Sequence, residues 1–145
     1  MTSPSSPKPL RVLVADDDED MRAFVAIALR ADGCSTVEVH DGRQVLAMIR
    51  NRVDGEDLGP DVVVADVRMP GLSGLAVLAA VQRTEWDLPV VLITALTDES
   101  IQMVARRLGA VSILQKPFEP EDLVTAVRNA TAIWEAATGP HRALA

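Results

Sequence analysis

The stretch VVVADVRMPG, residues 62–71, runs three valines and an alanine into a carboxylate, followed by an arginine and a Met-Pro-Gly turn. An apolar run this short, flanked by turn residues, has the length of a strand buried on both faces. Such a strand belongs to a parallel sheet with helices on either side. Asp66, at the end of the run, is costly to remove from water unless partners offset the loss, so its neighbours decide what it does.

Runs of the same kind recur along the chain. LRVLVA (10–15), CSTVEVH (34–40), DVVVAD (61–66), PVVLITA (89–95) and VSILQ (111–115) make five candidate strands, mostly rich in Val and Ile. Between and after them lie apolar stripes at helical spacing. The first is Met21, Phe24, Val25, Ala28 and Leu29, and the others centre on Val45 and Ile49, Leu75 and Leu78, Ile101 and Ala105, and Leu123 and Val127. Each strand is followed by a helix, so the expectation is an α/β, doubly wound fold with five parallel strands and right-handed crossovers. Ser73 is placed to cap the third helix and Pro120 to sit in the first turn of the fifth. Gly33 and Gly109 are expected helix stops. The connection NRVDGEDLGP (51–60) is long for its kind and precedes a strand, so it falls at the edge away from the chemistry.

Composition bounds the function. The chain has 145 residues, enough for one domain with a real core; 48% are hydrophobic and only 3% aromatic, which points to a core of Val, Leu, Ile and Ala. A net charge of -7 and a pI near 4.7 repel a phosphate backbone or an anionic membrane, which excludes nucleic-acid and membrane binding by this chain. Cys34 stands alone and reads as a small buried side chain in a reducing, cytoplasmic compartment. MTSPSSPKP has no signal or transit pattern, and no apolar run nears the roughly 18 residues of a membrane span. The expected organisation is a disordered tail over 1–9, one domain over 10–136 and a tail over 137–145.

In an open parallel sheet, ligands bind at the carboxyl ends of the strands. Those ends carry Asp16-Asp17-Asp18, Asp66-Val67-Arg68, Thr94-Ala95 and Lys116-Pro117, with His40-Asp41 less telling. Carboxylates converging there raise one another's pKa unless a cation relieves them, and Mg²⁺ is the natural hard ion. Lys116, the one lysine between residues 10 and 136, and the Thr94 hydroxyl supply donors for anionic oxygens. Acids, a lysine and a hydroxyl around a metal can hold a phosphoryl group, and a carboxylate among them can accept it.

With these motifs in order, VLVADDDEDMR, DVVVADVRMPGLSG, VVLITA and ILQKPF, the sequence resembles a response-regulator receiver domain of two-component signalling, similar to the chemotaxis regulators. The resemblance implies a flavodoxin-like (βα)5 fold with strand order 2-1-3-4-5. It implies that Asp66 accepts a phosphoryl group from phosphohistidine. Asp17 would ligate Mg²⁺ directly, Asp16 through a bound water, and Arg68 through its backbone carbonyl. Lys116 would pair with one phosphoryl oxygen and the Thr94 hydroxyl would move to another, with Ala95 leaving room. The Lys116-Pro117 bond would be cis. Implied partners are a histidine kinase or histidine phosphotransfer protein, and a downstream protein on the face of the fourth helix, fifth strand and fifth helix. The chain would be a monomer or a phosphorylation-dependent dimer. Ile113 stands where the family usually carries the Tyr or Phe that follows the Thr94 shift, and Glu19 where Pro is frequent.

Plainer readings apply to several residues. Asp18, Glu19 and Asp20 read as an acidic helix start. DDDED is not an EF-hand opening, because Met21 and Ile27 occupy the positions of the required Gly and Glu. Gly71 and Gly74 are turn residues without a phosphate-cradling motif. His40 and His141 lack ligand-spaced companions and read as solvated. The Arg68 side chain is either a solvated charge or a group over the acidic site that biases hydrolysis and donor choice, and Trp86 has no role beyond packing. The alternative function is a receiver-like adaptor that acts by protein binding independent of phosphorylation. A metal-dependent phosphatase is weaker, since Arg68 stands where a second Asp would be needed. The expectation is self-catalysed aspartyl phosphorylation and autodephosphorylation rather than conventional turnover. No effector domain follows within these residues, which fits either a stand-alone receiver or a fragment of a longer regulator.

Overall fold

Valine-rich runs become strands here because their branched side chains fill both faces of a covered sheet. The computed structural model describes residues 9–53, 59–83, 88–95, 99–110 and 112–138. In chain order the elements are β1 (Arg11–Ala15), α1 (Glu19–Ala31), β2 (Ser35–Val39), α2 (Gly42–Val53), β3 (Val62–Asp66), α3 (Gly74–Arg83), β4 (Val90–Thr94), α4 (Glu99–Arg107), β5 (Ser112–Gln115) and α5 (Pro120–Thr138). All pairings are parallel and the strand order is β2-β1-β3-β4-β5. This is the order expected from the receiver resemblance.

Alternation along the strands divides the core in two. Leu13, Val63 and Leu92 point to the side covered by Val45 and Ile49 of α2, Val77 and Leu78 of α3 and Ala105 of α4. Val12, Val64 and Ile93 point to the side covered by Val25 and Leu29 of α1 and Leu123 and Val127 of α5. Every residue of β3 and β4 is buried. Each such Val or Leu contributes about 1.5–3 kcal/mol of apolar burial, and truncating Leu78 to Ala would cost about 2–5 kcal/mol.

The outer strands depart from the expected burial on both faces. β2 is a sheet edge, Val37 is 46% exposed, and β5 is only half-buried. Cys34 is buried as expected, but it lies just before β2, where its N–H donates to Leu29 O.

Helix ends follow the local chemistry. Asp18 caps α1 by accepting from the N–H groups of Asp20 and Met21, and Ser73 Oγ accepts from Ala76 N–H. Pro120 opens α5, while Gly33 and Gly109 both take φ near +92° after α1 and α4. Arg128 of α5 joins Asp32 at the end of α1 at 2.8 Å, tying the two helices on that face. No helix among the described residues is long and apolar enough to cross a membrane. The tails over 1–8 and 139–145, the centre of the 51–60 connection, Trp86 and His141 lie outside the described residues.

Candidate active site

β1 and β3 are neighbours, so the residues at their carboxyl ends meet. Asp16, just past β1, is 2% exposed and Asp66, the last residue of β3, is 6% exposed. The chain turns sharply after each, and its own backbone satisfies one carboxylate oxygen in both cases. Asp18 N–H donates to Asp16 Oδ1 at 2.9 Å, and Arg68 N–H donates to Asp66 Oδ1 at 2.7 Å.

Lys116 enters from the end of β5. Its N–H donates to Thr94 O at 2.8 Å, linking it to the end of β4, and its bond to Pro117 is cis. The ammonium donates to Asp66 Oδ2 at 2.6 Å and stands 4.0 Å from Asp16 Oδ2. Asp16 Oδ2 is buried and has no hydrogen-bond partner.

The electrostatics follow from this crowding. Burial pushes the Asp16 carboxyl up to about 6, helped by the charge of Asp66 and opposed by the Asp18 N–H and by Lys116. Burial disfavours the Lys116 ammonium, but its hydrogen bond to Asp66 and the charges of Asp66, Asp16 and Asp18 outweigh that and raise its pKa above the ordinary lysine value. Two buried carboxylates thus share one cation and retain an unsatisfied oxygen.

That surplus of negative charge fits a divalent cation. Mg²⁺ needs only one or two carboxylates, a carbonyl and waters, a set that Asp16, Asp66 and the Arg68 carbonyl would provide. Asp17 is exposed, on the rim of an open cleft of about 560 Å³ that it lines with Arg68, Met69, Leu75 and Ile101. Among the described residues, no three His, Cys, Asp or Glu side chains are grouped to hold a metal. The structure therefore brings together Asp16, Asp66 and Lys116 and leaves the Asp17 side chain outside that group. Thr94 is buried, one residue past Ile93, the strand partner of Asp66, and Ala95 is exposed. Ile113 is half-buried and packs into the core on the α4 side.

One contributor, Arg22, was not singled out in the sequence, and another, Gly74, was read only as a turn residue although it opens α3. Arg22 Nη1 donates to the backbone oxygen of Asp16 at 2.8 Å, while its Nε lies 3.4 Å from Glu38 Oε1, so α1 and β2 jointly hold the β1 turn. The only available signal was an arginine in the second turn of α1, beside the acidic run. Gly74, read as a turn residue, lies so close to Asp66 that a Cβ would be 2.4 Å from Asp66 O.

A family model described as "Response regulator receiver domain" matches residues 12–128. The DNA-binding response regulator MtrA of Mycobacterium tuberculosis (strain ATCC 25618 / H37Rv) is 36% identical over 118 residues, which cover 81% of this chain and 49% of that protein. The DNA-binding transcriptional regulator NtrC of Salmonella typhimurium is 33% identical over 124 residues, covering 86% of this chain and 25% of that protein. The chain thus spans about half the length, or less, of these curated relatives. Among solved structures, a NarL signal receiver domain from Mycobacterium tuberculosis superposes with a TM-score of 0.78 at 34% identity, covering 87% of this chain and 98% of that one. The chemotaxis response regulator CheY4 of Vibrio cholerae gives 0.72 at 27% identity, covering 84% and 98%.

Proposed function

The chain belongs to the response regulator receiver domain family, and from that premise we propose that it accepts a phosphoryl group on Asp66 from a phosphohistidine of a histidine kinase or phosphotransfer protein. The observation that carries this reading is the 2.6 Å contact of Lys116 with Asp66 beside the buried, unsatisfied oxygen of Asp16.

A carboxylate oxygen of Asp66 forms the new P–O bond as the P–N bond of the donor breaks, and the imidazole leaves. Lys116 then follows the added negative charge and pairs with a phosphoryl oxygen. The Thr94 hydroxyl binds another, and Ala95 keeps the approach open. Asp16, Asp66 and the Arg68 carbonyl would hold Mg²⁺, with the Asp17 side chain turning in from the rim, and the ion would supply charge stabilisation to the transferring group. The domain comprises residues 10–136 and acts in the cytoplasm. Its output face is α4, β5 and α5, where Met103 and Val104 are 54% and 44% exposed. DNA binding is named for MtrA and NtrC as whole proteins; the charge of -7 on this chain argues for protein partners instead.

Incubation with Mg²⁺ and a small phosphodonor is expected to raise the intact mass by one phosphoryl group, and Asp66→Asn to abolish the gain. Equal labelling of that variant would refute the assignment.

Ile113 motivates a second reading, an adaptor that binds its partner regardless of phosphorylation. Position 113 carries no aromatic ring to follow Thr94, and Ile113 is packed into the core. Partner capture unchanged by phosphorylation and by Asp66→Asn would favour it.

A further inference from the structure

Gly42, the first residue of α2, is buried against the turn that leaves the acidic site. A Cβ there would lie 2.2 Å from the backbone oxygen of Leu72 and 2.5 Å from its Cβ. The nearest of these atoms is backbone, so no side-chain rotation would relieve the clash.

Leu72 belongs to segment 67–73, which carries Arg68. The root of that segment is pinned by Val67 N–H donating to Ile93 O at 2.8 Å and by Gly74 N–H donating to Val67 O at 3.0 Å. Its outer part closes on itself through Leu72 N–H donating to Pro70 O at 2.9 Å. Beyond these bonds, Leu72 and Gly71 lie against Gly42 and Arg43 at the start of α2, and Met69 and Leu72 also pack on the core.

That support is itself well fixed. Asp41 Oδ1 accepts from the N–H groups of Arg43 and Gln44, at 2.8 and 3.0 Å, and Gln44 Oε1 accepts from His40 N–H at 2.9 Å. These bonds stiffen the first turn of α2. Whatever touches that turn is set by it.

We propose that Gly42 is a positioning residue for the acceptor site: its missing side chain lets segment 67–73 seat at the depth where Arg68 N–H reaches Asp66 Oδ1. The inference rests on the reading of the site as a Mg²⁺-assisted acceptor. A Cβ at position 42 displaces Leu72, and with the root pinned at Val67 and Gly74 the displacement passes through residues 69–71 to Arg68, whose N–H orients the Asp66 carboxylate and whose carbonyl would face the cation.

The test is Mg²⁺ titration of the full chain by calorimetry, with amide NMR spectra of the metal-free protein. Gly42→Ala is expected to weaken Mg²⁺ binding about tenfold, as loss of outer support does at metal sites, and to shift the amides of residues 67–74. Gly33→Ala is the control. It strains a backbone at φ +92°, with nothing within 4 Å of the added Cβ, and should leave Mg²⁺ affinity within about twofold. If Gly42→Ala does not fold, Asp41→Ala, which frays the same support, is expected to weaken Mg²⁺ binding by a smaller factor. Wild-type protein that fails to bind Mg²⁺ overturns the reading of the site. Wild-type binding matched by Gly42→Ala, or by Asp41→Ala where that is the variant used, overturns the role of Gly42.

Discussion

Lys116 Nζ lies 2.6 Å from Asp66 Oδ2 and 4.0 Å from Asp16 Oδ2, so one ammonium serves two buried carboxylates. Removing it leaves both acids uncompensated in a site that water barely reaches. Fully buried pairs lose about 3–5 kcal/mol when one partner is deleted. The Lys116 side chain is 21% exposed, which lowers the expected loss for Lys116→Met to about 2 kcal/mol. Urea unfolding with a chelator present reads this directly, and added Mg²⁺ should recover part of the loss by substituting for the missing charge. Wild-type stability in Lys116→Met would mean that the acids do not depend on Lys116.

Asp16 should give the metal-free protein a measurable pH dependence. Its folded pKa, about 6, stands above the ordinary aspartate value of 3.8. Between those values the native state keeps a proton that the unfolded chain has released, so stability falls as pH rises from about 4 to about 6 and is level above that. The full amplitude is at most about 3 kcal/mol. Asp16→Asn should remove this slope and stabilise the metal-free protein at pH 7 while weakening Mg²⁺ binding. A parallel pH profile in wild type and variant would show that another group titrates there.

The pairing of Asp66 with Lys116, fifty positions apart, was legible because each ends a strand-length apolar run and parallel strands present their ends to one edge. The two-sided burial of β3 was legible in VVVA for the same reason. The exposure of Val37 was not, because being an edge strand depends on sheet order, and β2 reads much like its neighbours. Nor was the Arg22 contact with the Asp16 carbonyl, which depends on how tightly the chain turns between β1 and α1. Gly42 was hidden for a third reason: its partner Leu72 lies in a different connection, and no periodicity links two turns. The resemblance implied Asp17 as the direct ligand and Asp16 as one acting through water, whereas the turn buries Asp16 and leaves the Asp17 side chain on the rim; no periodicity distinguishes adjacent acids in a turn.

α4 should be the first helix to open. Ala105 is its only fully buried side chain, and Met103 and Val104 face outward. α5, by contrast, buries Leu123, Val127 and Ala130. Local opening free energy tracks the apolar contact that must be broken, so a helix anchored by one buried alanine and a half-buried Ile101 has less to hold it. Hydrogen exchange followed by mass spectrometry is expected to show α4 amides exchanging faster than those of α1, α3 and α5. If Asp66 is the acceptor and the output face includes α4, phosphorylation should also change exchange in α4 more than in α1. Under that reading, the weakly anchored helix is the one that a small displacement at Thr94 and Ile113 would shift at little energetic cost. Protection of α4 equal to that of α5 in both states would leave the output face without a movable element.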